Sequence, residues 1–253
     1  MKLLCFEANS VEMVDAGMRQ SAWFERAVSR LDPSVELTVM EPYRQSVTDA
    51  DFADADAIIF TGSGVQWNVN EETAKPQQQV MDRALATKKP IWGSCNGMQL
   101  AAFVLGGQTG EAPNGFEDGL AKELTLTAAG RDHPMFAGRD APFAVACIHR
   151  DEVVALPTGA IHLAENSHTR VQAFSYEADG IDFWGTQYHP EYTLQHVARV
   201  LRKVGRGSEE DHKALENNDA ATLGVSDNDL QFAAHVNEFA NWLRHAEAKS
   251  TPI

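Results

Sequence analysis

Apolar and polar positions alternate along the first half of the chain in a pattern that changes period every dozen or so residues. Lys2–Glu7 is a short apolar run that predicts a strand. Residues 15–31 carry apolar positions at helical spacing, ending before Pro33, and predict an amphipathic helix. Glu36–Met40 reads as a second strand. Asp56–Phe60 (DAIIF) is a compact apolar run of the kind buried in a parallel sheet, and it stops at the turn Thr61-Gly62-Ser63-Gly64. Glu71–Thr87 predicts a helix and Pro90–Trp92 a further short strand. Met98–Leu105 predicts a helix closed by the C-cap signal Gly106-Gly107. Strands alternating with helices at these lengths indicate a parallel α/β sheet.

The period changes in the second half. Residues 122–128, 143–148, 160–165, 171–176 and 181–187 read as strands separated by Gly, Pro and Asp turns, a pattern richer in antiparallel pairs. From Tyr192 to about Val204 the chain turns helical. Residues 205–225 are polar and uneven, a loop or a small helical insertion. Asp227–Ala248 places Leu230, Phe232, Ala233, Val236, Phe239, Ala240 and Leu243 near one helical face, predicting a final helix. The expected organisation is one domain over residues 1–253, with a core of about 1–204 and a C-terminal helical extension of about 205–253.

Composition narrows the function classes. The 253 residues are 43% hydrophobic and 23% charged, ordinary for a globular protein with a real core. A formal net charge of −15 argues against nucleic acid and anionic membranes as partners. The three cysteines, Cys5, Cys95 and Cys147, are odd in number and widely spaced, which fits neither a disulfide framework nor a zinc motif and points to a reducing cytoplasm. Glu7 interrupts the N-terminal apolar run too soon for a secretory signal, and no stretch is long enough to span a bilayer.

The chemistry concentrates at Gly93-Ser94-Cys95-Asn96-Gly97. This G-x-C-x-G cluster follows a strand and precedes a helix, the context of a nucleophile elbow, and the helix N-terminus favours a thiolate. The competing reading is a turn that happens to bury a cysteine. A thiolate nucleophile needs a base and a group to orient that base. In GTQYHPEYT, His189 and Glu191 are two apart, so in an extended segment both point the same way, and Pro190 favours that geometry. Backbone N–H groups of Asn96 and of the Thr61–Gly64 turn, with Ser63 at its centre, can form an oxyanion hole at the carboxyl ends of the strands.

The G-S-C-N-G-M-Q and Y-H-P-E segments, in this order and separation, resemble the class I glutamine amidotransferases. HRDEVVALPTGAIHLAENS (149–167) and FEDGLAKELTLTAAGRDHPMF (116–136) resemble the GMP-synthase-like branch. The resemblance implies a flavodoxin-like, mostly parallel sheet flanked by helices, with an added antiparallel portion and C-terminal helices. It implies Cys95 as nucleophile, His189 as general base and acid, and Glu191 as the orienting carboxylate. Ser63 and Asn96 would supply the oxyanion hole, and Gly62, Gly64, Gln99, His149, Arg150 and Asp151 would contact substrate. No metal or cofactor is implied. The substrate would be L-glutamine or a γ-glutamyl compound, cleaved through a γ-glutamyl thioester.

Departures from the family qualify that expectation. The turn reads T-G-S-G where relatives carry S-G-G-P, and Ser94 and Asn96 are polar where many relatives have bulkier apolar groups, so strict glutamine specificity is open. The chain holds neither a P-loop nor an S-G-G-x-D-S pyrophosphatase loop, so an acceptor reaction would need a separate synthase subunit. The alternatives are a stand-alone γ-glutamyl peptidase or hydrolase and a non-catalytic regulatory subunit; the intact Cys95, His189 and Glu191 count against the last. Self-association into a homo-oligomer stays open.

Overall fold

The structure is a computed structural model that describes residues 1–250. Strands β1 (Lys2–Phe6), β2 (Glu36–Met40), β3 (Ala57–Phe60), β4 (Pro90–Ser94) and β11 (Asp182–Thr186) form a parallel block in the order β2-β1-β3-β4-β11. β10 (Ala173–Tyr176), β9 (Ile161–Glu165), β6 (Glu117–Leu126) and β7 (Phe143–His149) extend the same sheet antiparallel beyond β11. β5 (Gln108–Glu111) and β8 (Asp151–Ala155) form a separate antiparallel pair.

The inner parallel strands β1, β3, β4 and β11 are buried on both faces because successive side chains enter different cores, while β2 at the edge is partly exposed. Leu3 and Cys5 join Trp92 and Trp184 on one face, under α2 (Ser21–Leu31) and α11 (Asn237–Ser250), which contribute Phe24, Phe239 and Trp242. Leu4 and Phe6 join Ile58, Phe60 and Ile91 on the other, under α4 (Lys75–Ala86) and α5 (Asn96–Val104). This period of two explains why the parallel strands read as continuous apolar runs. A third cluster packs Leu120 and Ala146 of the antiparallel part against Leu194, Val197, Ala198 and Leu201 of α7 (Leu194–Val204).

Local chemistry corrects several expected boundaries. The helix expected over 15–31 holds only over α2 (21–31); residues 16–20 are turn and irregular backbone around Gly17, whose φ is 77°, and a separate short helix α1 (Val11–Asp15), capped by the Ser10 hydroxyl, precedes them. Strands β5 and β8 escaped the pattern, because Gln108–Glu111 has no apolar alternation of its own and is held by pairing. β6 starts at Glu117, earlier than expected, and carries Glu117 into the interior.

Residues 205–225 are the helical insertion: α8 (Glu209–Asn217) starts at a Ser208/Asp211 capping box, and α9 (Ala220–Leu223) starts at an Asp219 cap. The expected helix over 227–248 is the short α10 (Phe232–His235) followed by α11, with residues 227–230 in turns and Leu230 outside both helices. The remaining short helices are α3 (Asp49–Ala53) and α6 (Ala128–Asp132).

Candidate active site

Cys95 sits where β4 ends and α5 begins, at the carboxyl edge of the parallel block. Its backbone adopts φ 49° and ψ −104°, a region L-residues rarely occupy, so the turn is strained. Two glycines make it sterically feasible. A Cβ at Gly97 would lie 2.4 Å from the Phe60 carbonyl oxygen, and one at Gly93 would lie 2.7 Å from the Gly97 carbonyl carbon. The spacing G-x-C-x-G is therefore a record of close approach between β4, α5 and β3. The Cys95 N–H donates to Thr186 O at 2.7 Å, tying the elbow to β11.

His189 and Glu191 lie beyond the end of β11. His189 Nδ1 and Glu191 Oε1 are 2.7 Å apart, and both residues are buried. The Tyr192 ring stacks on the imidazole at 3.9 Å, nearly coplanar at 5°, and the Tyr192 hydroxyl donates to Gln20. On the other side, Gly62 leaves the ring room: a Cβ there would fall 2.5 Å from His189 Cε1. The imidazole is therefore fixed in position by packing on two sides and by hydrogen bonding at Nδ1.

Burial alone would lower the His189 pKa, but the Glu191 carboxylate and the hydrogen bond with Cys95 outweigh it and raise the value from 6.5 to about 10. This electrostatic pattern favours an imidazolium at His189.

A second line of hydrogen bonds supports the carboxylate. The Trp92 indole Nε1–H donates to Ser94 Oγ at 2.9 Å, and the Ser94 hydroxyl donates to Glu191 Oε2 at 3.0 Å. Glu191 thus has one oxygen on His189 and the other on Ser94. In the sequence Ser94 stands out only as a departure from the family; its partner is invisible there, because the two positions, 97 apart, meet only in the fold. Gln187 likewise escapes the sequence reading. Its Nε2 lies 3.4 Å from Cys95 Sγ, and its Oε1 accepts from Gln99 Nε2 at 3.2 Å. The segment expected to be extended is bend and turn from Gln187 to Glu191, closed by Tyr192 N–H to His189 O at 3.2 Å.

A cavity of about 330 Å³ opens beside Cys95. Ser63, Gly64, Asn96, Gln99, His149, Arg150 and Asp151 all line it. The Thr61–Gly64 turn is braced by the end of β1: Ser63 Oγ donates to Ala8 O at 3.0 Å, and Gly64 N–H donates to Asn9 Oδ1 at 2.8 Å. Asn96 is the first residue of α5, where backbone N–H groups lack helical partners. Gln99 Nε2 donates to Asp151 O at 2.7 Å.

Arg150 is held by both carboxylate oxygens of Asp151 at 2.7 and 3.0 Å, and Asn68 Nδ2 donates to the same carboxylate at 2.7 Å. His149 is committed on both nitrogens, to Asp151 O at 3.1 Å and to Glu117 Oε2 at 2.9 Å. It borders the pocket as part of the wall, and no ring nitrogen is left over for a ligand. Burial would raise the Glu117 carboxyl, but donors from His149, Asn166 and Gln172 hold it below the usual range. Glu117, Cys147 and His149 are close enough to share a cation, yet Glu117 is already occupied by these donors. Cys5 and Cys147 are fully buried, and burial pushes both thiols well up, so neither competes with Cys95 as a nucleophile.

The family model for "glutamine amidotransferase class-I" matches residues 12–204. A γ-glutamyl-L-1-hydroxyisopropylamide hydrolase from a Pseudomonas species is 34% identical over 176 residues, 68% of this chain and 59% of the relative. The chain thus spans less than two thirds of that relative's length. A glutamine-hydrolysing GMP synthase subunit of Saccharolobus solfataricus is 34% identical over 58% of this chain and 71% of its own. Among solved structures, a glutamine amidotransferase from Thermotoga maritima superposes with a TM-score of 0.68 at 17% identity, covering 97% of each chain. One from Methylobacillus flagellatus gives 0.67 at 17% identity over 96% of this chain and 94% of that one. The fold likeness agrees with the family match, and the chain belongs to the class I glutamine amidotransferase family.

Proposed function

We propose that the protein hydrolyses the side-chain amide of L-glutamine through a thioester on Cys95, giving glutamate and ammonia for an acceptor on a separate synthase subunit. The observation that supports this most directly is the hydrogen-bonded line Ser94–Glu191–His189, whose imidazole is electrostatically coupled to Cys95 at a strained elbow beside a cavity. In this reading Cys95 Sγ attacks the amide carbon. The backbone N–H groups of Ser63 and Asn96 receive the oxyanion, and His189 gives its proton to the departing nitrogen. Water, deprotonated by His189, then cleaves the thioester. Glu191 holds the imidazole tautomer throughout, and Gly64, Gln99, Arg150 and Asp151 border the glutamyl group. The similarity to a relative named as one subunit of a GMP synthase supports a separate partner.

A second reading, a self-sufficient γ-glutamyl hydrolase, uses the same acyl chemistry with a larger leaving amine. It is favoured by the similarity to a γ-glutamyl amide hydrolase and by apolar side chains at the cavity mouth. Three free, buried cysteines suit a reducing cytoplasm in either case, and among the described residues no helix is long and apolar enough to cross a membrane. The core of about 1–204 would hold the catalytic groups, with the C-terminal helical extension from about 205 as part of the same domain and its Arg206 at the cavity.

Glutamate release by the purified protein from L-glutamine and from γ-glutamyl amides, with Cys95→Ala as blank, tests the reading. Cys95-dependent release supports it, and equal release by Cys95→Ala overturns it. Slow turnover confined to glutamine supports the ammonia donor.

A further inference from the structure

The Cys95 cavity has two chemically different parts. One is polar: Gln66, Gln99, Arg150 and Asp151 line it together with the Ser63–Gly64 turn. The other is apolar and comes from elements outside the parallel block. Phe116, just before β6, is 50% exposed, and Val204, at the end of α7, is 54% exposed. Val200 lies one turn before Val204 on the same helical face and also lines the cavity. Phe116 and Val204 are two of only four large apolar side chains with substantial exposure among the described residues, and both border this one cavity. The other two, Val154 and Ile161, do not line it.

The Phe116 ring is held in place. The Arg206 guanidinium lies over it at 3.9 Å, and Arg206 Nε is 3.2 Å from Asp118 Oδ2. Arg206 also lines the cavity, so the wall combines the Phe116 ring and two branched aliphatic groups with a guanidinium whose charge Asp118 offsets. A cavity of about 330 Å³ is in the range that takes a small organic ligand. When free glutamine is the substrate, the group leaving the acyl carbon is ammonia, which has no apolar surface to bury against Phe116, Val200 and Val204.

We infer that Phe116, Val200 and Val204 form a subsite for the leaving amine, and that the substrate class is γ-glutamyl amides of apolar, uncharged amines. This rests on the second reading above, the self-sufficient γ-glutamyl hydrolase, and deepens it. Cys95 Sγ adds to the amide carbonyl carbon, and His189 transfers its proton to the amide nitrogen. The C–N bond breaks to release the amine, and water returns the acyl group as glutamate, with no redox partner. Burial of an amine substituent against the apolar wall lowers the barrier only where that substituent is held in the transition state.

The test is a series matched in amine basicity, so that leaving-group chemistry stays constant while apolar area grows: γ-glutamyl methylamide and γ-glutamyl isobutylamide, with L-glutamine alongside, each followed by glutamate release from the wild-type protein. The expected result is a rise in kcat/KM of about tenfold or more from methylamide to isobutylamide. Phe116→Ala and Val204→Ser, both at exposed positions where folding is little affected, should each flatten that rise. A flat wild-type series accompanied by Cys95-dependent turnover of glutamine overturns the subsite and leaves the apolar wall for a protein partner. No Cys95-dependent release from any of the three overturns the amide-hydrolysis reading itself, and the subsite with it.

Discussion

The Ser94 hydroxyl donates to Glu191 Oε2 at 3.0 Å, while the other oxygen of that carboxylate holds His189. The residue before the elbow cysteine therefore steadies the carboxylate that holds the His189 imidazole. Ser94→Ala removes one donor from a buried carboxylate and leaves the Trp92 indole N–H without its partner. A hydrogen bond to a charged group contributes about 1.5–3 kcal/mol. The expected loss in kcat/KM is roughly tenfold, because only part of that energy reaches the transition state. In a Glu191→Gln background the same change should cost much less. A double-mutant cycle on glutamate release reads this coupling, and additive losses would show that Ser94 acts elsewhere.

Cys95 should be replaceable without loss of fold. Cys95→Ala keeps the elbow's small volume and should abolish turnover. Cys95→Gly should be inactive too, yet more stable than Cys95→Ala by about 1 kcal/mol, since glycine tolerates the positive φ of 49°. Urea midpoints of the two variants make the comparison. Equal stability would mean that the elbow carries no backbone strain.

The charge on His189 should show in the pH dependence of stability. Its pKa is raised from 6.5 to about 10 in the fold, so the folded state binds the proton more tightly than the unfolded chain. The resulting stabilisation is complete below about pH 6.5 and disappears as pH climbs toward 10. The stability gap between the wild type and His189→Gln, from urea unfolding, should narrow steadily over that window. A gap independent of pH would mean the imidazole is not charged in the resting site.

His235 should act in the opposite sense. Its Nε2 accepts the Ala146 N–H at 3.2 Å, and burial lowers its pKa to about 4. Only the neutral ring can accept. Stability should therefore fall as pH drops from 6.5 toward 4, because the unfolded chain takes up a proton the folded chain refuses. The Ala146 carbonyl accepts the His189 N–H at 2.8 Å, so this contact also joins the C-terminal segment to the loop that carries the base. His235→Gln should flatten the acid limb of a thermal-melt profile; an unchanged limb would assign acid sensitivity to other groups, such as His196, whose pKa burial also lowers to about 4.

The C-terminal helix is anchored by one buried ion pair. Arg139 Nε meets Glu238 Oε1 at 2.7 Å, and its NH2 group meets Oε2 at 2.9 Å. Glu238→Ala strands the arginine and should cost roughly 3–5 kcal/mol. The double variant Arg139→Met, Glu238→Leu should recover most of that in chemical denaturation. If the single change costs under about 1 kcal/mol, α11 does not depend on this pair.

Strands β1, β3 and β4 were legible in the chain because each is buried on both faces, so its apolar run is continuous; β2 lies partly exposed at the sheet edge, and β11, expected among the antiparallel-rich strands, instead pairs parallel with β4. The elbow was legible because close packing demands glycine at 93 and 97; the expected extended geometry at His189–Glu191 is instead a turn closed by Tyr192 N–H to His189 O at 3.2 Å, which still brings the two side chains together. Tertiary structure alone decided the rest. β5 exists only by pairing with β8, and the helix expected over 15–31 starts only at Ser21, because the chain turns at Gly17, where the backbone is left-handed. Ser94 finds Glu191, Gln187 finds Cys95, and Phe116 joins Val204 at one cavity through contacts between residues distant in sequence. Local pattern records the period and steric demands of a segment; which buried donor meets which acceptor is set by how the layers close on one another, and no local pattern carries that.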